Sequence, residues 1–163
     1  MAWFRRGGEP APVVPAPQEE DPGDRPEALR AAIADVNRLV NASAGRLPLR
    51  AVVAARRITD VLAEVVDTSE VRPLDIYAVI SVRATATDYL PTTVRSYLAV
   101  DESLAGVPRA SGRTPTQSLM EQLVALEDSA IAVLEAVQLQ DVDALMTQGN
   151  FLRTKFSRSD LEL

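Results

Sequence analysis

Any chemistry in this chain has to come from carboxylates, Tyr, Ser, Thr, Arg and the single lysine, Lys155, because histidine and cysteine are both absent from its 163 residues. Thiolate nucleophiles, Cys/His zinc sites and imidazole-based acid–base sets are thereby excluded. Di-iron bundles go with them, since their Glu-x-x-His repeats need a histidine. Asp60, Glu64 and Asp67 recur at helical steps and could face a magnesium ion, but the same spacing makes a solvated acidic face, which is the reading adopted. Glu121, Asp128 and Glu135 recur every seven residues, as an exposed heptad position does. Gly7-Gly8 lies near the N-terminus and the other glycines are isolated, so no glycine-rich phosphate loop is present. No metal, no cofactor and no catalytic residue is expected.

Three groups remain as candidates for binding. Arg83 and Arg95, with Tyr89 and Tyr97 around Pro91, could hold an anion between guanidinium groups and phenol hydroxyls. The ordinary alternative for Arg83 is a structural ion pair, with Asp60, Glu64 or Asp88 as the partner. Trp3, Phe4, Arg5 and Arg6 put the only tryptophan beside a second aromatic and two cations. Such a tip can insert its rings into a groove on a protein partner, or into a membrane interface while the arginines meet anions. The loop Gly106 to Pro115 carries Ser111 and Thr114 between Arg109 and Arg113. Either hydroxyl is a candidate for phosphorylation, and a phosphate on Thr114 would meet the positive N-terminus of the next helix.

The elements that must position these residues follow from hydrophobic period. Residues 1–25, with Pro10, Pro12, Pro15, Pro17 and Pro22 and no apolar period, read as a disordered proline-rich tail. From residue 26 to residue 163 the period is helical. Leu29, Ile33, Val36 and Val40 form one stripe, with Asp24 and Glu27 as a capping pair, Pro26 in the first turn and Gly45 as the stop. A second helix from Pro48 uses Ala54, Ile58, Val61 or Leu62, and Val65. A third from Pro73 carries Ile76, Val79, Ile80, Ala84 and Leu90, and Arg83 at the end of that stripe is expected to point partly inward. Pro91 should kink it or start a fourth helix running to about Leu104. The fifth, capped by Thr114, Pro115 and Gln117, repeats Leu119, Leu123, Leu126, Ala130, Val133 and Val137 without error, beside a second stripe of Met120, Val124, Ile131 and Leu134. The sixth, from Asp141, uses Val142, Leu145, Gly149, Leu152 and Phe156, where Gly149 permits a close helix approach. The expected fold is all-α, an antiparallel bundle of five to six helices behind the tail.

Around Tyr89 the run Thr87-Asp88-Tyr89-Leu90-Pro91-Thr92-Thr93-Val94, followed by Tyr97-Leu98, resembles the tyrosine-leucine-proline turn and following tyrosine of the bacterial 5-bromo-4-chloroindolyl phosphate hydrolysis family. Those helical proteins are mentioned alongside toxic-anion resistance proteins. The resemblance implies a helical fold and the handling of phosphate esters or other small anions, and it carries over no catalytic residue. Read from the residues alone, the run is a helix break in which the two tyrosines flank Pro91.

Composition separates the function classes further. A net charge of −6 argues against binding to a phosphate backbone, which draws its affinity from clustered cations, so nucleic acid is not an expected partner. Arg5 and Arg6 are followed by Gly, Glu and Pro rather than by the apolar run of a signal peptide, and a cytoplasmic setting is expected. The functional expectation is a non-enzymatic helical adaptor or assembly protein that engages protein partners through the bundle surface and the N-terminal tip. A homodimer sharing the fifth helix is the alternative way to bury its two stripes, and the rival function is the handling of anionic small molecules near Pro91.

Overall fold

The structure, a computed structural model, describes residues 21–140 and 142–157. Among these residues there is no strand, and the chain forms α-helices joined by short 3-10 turns. Helix α1 spans Pro26–Ala42, α2 Leu49–Asp67, α3 Ile76–Ala84, α4 Leu90–Leu98, α5 Pro115–Leu139 and α6 Val142–Ser157. Helices α1 and α2 run in opposite directions, because side chains tie their ends in opposed order. Arg30 near the start of α1 bonds Asp67 and Glu70 beyond the end of α2, while Asn41 at the end of α1 accepts from Arg56. The largest helix interface is between α2 and α5, which run in the same direction: Arg57 meets Glu127, and Arg72 below α2 donates to the Val137 carbonyl near the end of α5. Apart from α3 and α4, which continue one another, neighbours in sequence are therefore antiparallel, and the central pair is co-directed. Helices α3 and α6 are co-directed too, with Ser81 beside Gly149 and Tyr89 stacked on Phe156.

The core follows the periodic stripes closely. Leu29, Ile33, Val36 and Val40 of α1, Ile58, Leu62 and Val65 of α2, and all six residues of the α5 repeat are buried. The Thr114 capping box forms as its residues dictate, Thr114 Oγ1 accepting from the Gln117 amide and Gln117 Oε1 from the Thr114 amide. Of the neighbouring α5 stripe, Met120, Ile131 and Leu134 are half-buried and Val124 is exposed. At its far end α5 stops at Gln140, which takes the left-handed conformation at φ 58° that usually falls to glycine. The expected cap at Asp141 lies outside the described residues.

Several boundaries differ from the sequence reading. Helix α1 ends at Ala42, before Gly45, and its N-cap is Arg25, with no side chain capping it. Asp24 does not pair with Glu27 because its carboxylate is drawn to Arg83 instead. Pro91 does not break the rod: α3 passes through a single π-helical turn, Thr85–Tyr89, into α4, with the Leu90 amide bonded five residues back to the Thr85 carbonyl. A proline ring clashes with the carbonyl four residues before it, and widening the preceding turn is one way to make room without ending the helix. The rod ends at Leu98, short of Leu104, and a separate 3-10 turn, Glu102–Leu104, is capped by Asp101. The expected α3 stripe is also rotated: Ala78, Val79 and Val82 are buried, whereas Ile76 and Ile80 are exposed. Nearly every residue of α3 is apolar, so hydrophobic pattern could not select its buried face, and the small side chains won the side that other helices approach.

Candidate functional site

Residues 1–20 lie outside the described residues, and with them Trp3, Phe4, Arg5 and Arg6. The last five residues assigned to the tail are ordered by local chemistry. Asp21 accepts from the Gly23 amide at 3.0 Å and caps the 3-10 turn Pro22–Asp24, the use of an aspartate before Pro-Gly that turn stereochemistry favours. That turn sits against α3, where Arg83 Nη1 reaches Asp21 Oδ2 at 2.9 Å and Asp24 Oδ1 at 2.7 Å. The contact to Asp24 is a charge contact rather than an aligned hydrogen bond, and that carboxylate is the more enclosed of the two. Arg83 therefore pairs with Asp21 and Asp24, not with Asp60, Glu64 or Asp88, and it points outward with Ile80 because both lie on the solvent side of the rotated helix. The Gly23 amide, followed by Arg83, holds the Asp21 carboxyl below its usual value of 3.8.

The other residues around Pro91 have separate partners. Tyr89 stacks on Phe156 of α6 with ring centroids 5.2 Å apart. Burial, and then the neighbouring Asp88 charge, push its phenol pKa up, while Arg153 pulls the other way. Tyr97 places its hydroxyl 3.2 Å from Thr116 Oγ1, joining α4 to α5. Arg95 is exposed on α4, and its carbonyl accepts the closing amide of Ala99. Arg83 and the tyrosines thus face different neighbours. The dent beside Tyr97, lined also by Arg46, Leu98 and Glu102, holds only about 30 Å³, against about 300–1,000 Å³ for a metabolite pocket.

Ser111 is exposed in the loop before α5, whereas the Thr114 hydroxyl is engaged as the helix cap. Asp67 is paired with Arg30 and Glu121 with Arg113, and no group of acidic side chains among the described residues converges on a metal position.

What the fold does assemble is a set of exposed apolar residues on α3 and α6, of which Ile76, Ile80 and Val142 were expected in the core. Gly149 of α6 faces Ser81 of α3, and Gln148, about 100° round the helix, donates to Ser129 of α5 at 2.6 Å, so the orientation of α6 is fixed. Val142 and Met146 lie about 20 and 60° from Gly149 on the side away from α5. On α3, Tyr77, Ile80 and Ile76 step from Ser81 toward solvent by about 40, 100 and 140°. Ile76, Ile80, Val142 and Met146 are 53, 42, 45 and 40% exposed, and Tyr77 is half-buried. These five residues lie on the outward side of two co-directed helices, and Val71 and Leu139 are exposed as well. The signal in the sequence was that nearly every residue of α3 is apolar, more than one buried face can hold. Among the described residues no helix is long and apolar enough to cross a membrane. No family model, curated protein or solved structure matches this chain.

Proposed function

We propose that this protein is a non-enzymatic helical adaptor, in a cytoplasmic setting, which binds a protein partner through the seam between α3 and α6 and through the N-terminal tip Trp3 to Arg6. The observation that carries the reading is the seam itself: four large apolar side chains on adjacent helices, two-fifths or more exposed. Contiguous exposed apolar surface on a folded protein marks an interaction site more often than isolated exposed residues do. An apolar strip along two helices suits an extended or helical segment rather than a small metabolite. Arg83, the residue best suited to an anion, is neutralised by two carboxylates, which gives the rival anion-handling reading no comparable support.

The test is affinity capture from the native cell with three baits: the full chain, a chain carrying Ile80→Glu and Met146→Glu, and a chain lacking residues 1–8. Helicity and solution mass of each are checked first. Loss of a specific protein from the second bait with its helicity intact is the expected result, and loss from the third would assign a share to the tip. Capture of the same proteins in the same amounts by all three would remove the proposal.

A further inference from the structure

From the way α5 joins α6, we infer that α6 exchanges between two copies of this chain, so that α6 of each copy packs on α3 and α5 of the other in a domain-swapped dimer. This goes beyond the adaptor reading, since the exchange needs no other protein and gives a particle with two α3/α6 seams.

Three observations carry it. First, the hinge is short and strained. Only Gln140 and Asp141 stand between the two helices in sequence, and α6 folds back along α5 with Gln148 bonded to Ser129. Gln140 reverses the chain at φ 58° and ψ 35°, a left-handed conformation in which a side chain crowds its own backbone. It is the only non-glycine residue with a positive φ among the described residues. A short connection under strain in the closed monomer favours exchange, because the strain is released when the hinge opens while the contacts of the exchanged helix are remade on the second copy.

Second, α6 is lightly held. It packs chiefly on α3 and α5. Among its described side chains only Leu145 and Leu152 are buried, and Phe156 is half-buried against Tyr89. Helix α2, by contrast, buries residues along its whole length. An element with so few buried apolar contacts opens locally well before the whole fold does. Third, the surface that α6 leaves is partly polar. Ser81 and Ser129 are both buried; Ser129 Oγ accepts from Gln148, and Ser81 Oγ, which faces Gly149, has no hydrogen-bond partner. Water satisfies both hydroxyls when α6 lifts, which eases its departure. The surface is then open to α6 of the second copy, the one helix whose fit to it the structure displays.

The absence of cysteine allows a direct test. Full-length chains carrying Ser81→Cys alone and Gly149→Cys alone are mixed at millimolar concentration, warmed to just below unfolding, returned to 25 °C and oxidised. Ser81 is buried under α6 and Gly149 is half-buried against it, so a disulfide between two chains requires α6 of one to lie on α3 of the other. The expected product is a covalent dimer containing one chain of each kind. Its yield should follow residue 140 when Gln140→Gly or Gln140→Val is added. Glycine takes the left-handed conformation freely, and relief of about fivefold at each hinge, squared over the two hinges, weakens the dimer by roughly 25-fold in sedimentation equilibrium. Valine, the worse fit, strengthens it, with helicity checked by circular dichroism. A Gln140→Val chain that stays monomeric at millimolar concentration would overturn the proposal. So would a dimer constant indifferent to residue 140, or a dimer in which positions 81 and 149 do not cross-link between chains, which would place the interface elsewhere.

Discussion

Gly149→Ala should stabilise the protein, although Gly149 faces α3. A methyl built on Gly149 meets only the Ser81 hydroxyl oxygen, at 3.8 Å, which is ordinary van der Waals contact. Nothing has to move to admit it. In the helix interior glycine costs about 0.8–1.0 kcal/mol relative to alanine, through backbone entropy that alanine does not lose. The new methyl also covers part of the seam between the helices, where a fully buried methylene would contribute about 0.8 kcal/mol. The net expectation is about 1 kcal/mol of stabilisation, or roughly 4 °C in a domain of this size. Urea unfolding followed by helical circular dichroism gives the free energy, with an unchanged slope showing that the same surface is exposed. Gly149→Val is the built-in contrast: its two branches project toward Ser81 and should destabilise by about 1–3 kcal/mol through overpacking. A destabilisation of 1 kcal/mol or more by alanine would refute the reasoning, because it would mean that α6 packs closer to α3 than the 3.8 Å spacing allows.

Thr114→Ala removes the side chain that caps α5 and leaves the Gln117 amide without its acceptor, so it should cost about 1 kcal/mol in the same urea assay. Arg83→Met leaves the half-enclosed Asp24 carboxylate without a counter-charge, and after allowance for screening at a partly exposed arginine the cost is about 1 kcal/mol at neutral pH. The Asp21 carboxyl is held below 3.8 in the folded chain, so its contribution is present above that pH and lost as pH falls through the lowered value. The gap between wild type and Arg83→Met should therefore shrink in acid below about pH 3.8, measured as unfolding free energy against pH. A gap that stays constant to pH 2 would show that Asp21 does not depend on Arg83.

The helices were legible where period and end signals agreed. The Leu119 to Val137 repeat and the Thr114-Pro115-Gln117 cap both specify one helix in one register, and α5 obeys them residue for residue. The same is true of the stripe from Leu29 to Val40, since a helix with polar residues on its other side has only one face to bury. Asp21-Pro22-Gly23-Asp24 carries turn-forming residues, but they were assigned to the disordered tail because they close a proline-rich stretch. Nothing local says that a carboxylate there will meet an arginine 62 residues later.

Sequence by itself determined the all-α class, the exclusion of His- and Cys-based chemistry, and the buried faces of α1 and α5, because each depends on residue type or on spacing within one element. Tertiary structure decided which side of α3 faces the core, what Arg83 holds, and that Ile76, Ile80, Val142 and Met146 form an exposed seam. Helix α3 is apolar almost all round, so its own pattern is nearly neutral to rotation about its axis. The choice was made by the helices that approach it, which close most tightly on Ala78, Val82 and Ser81 and leave the two large isoleucines outside.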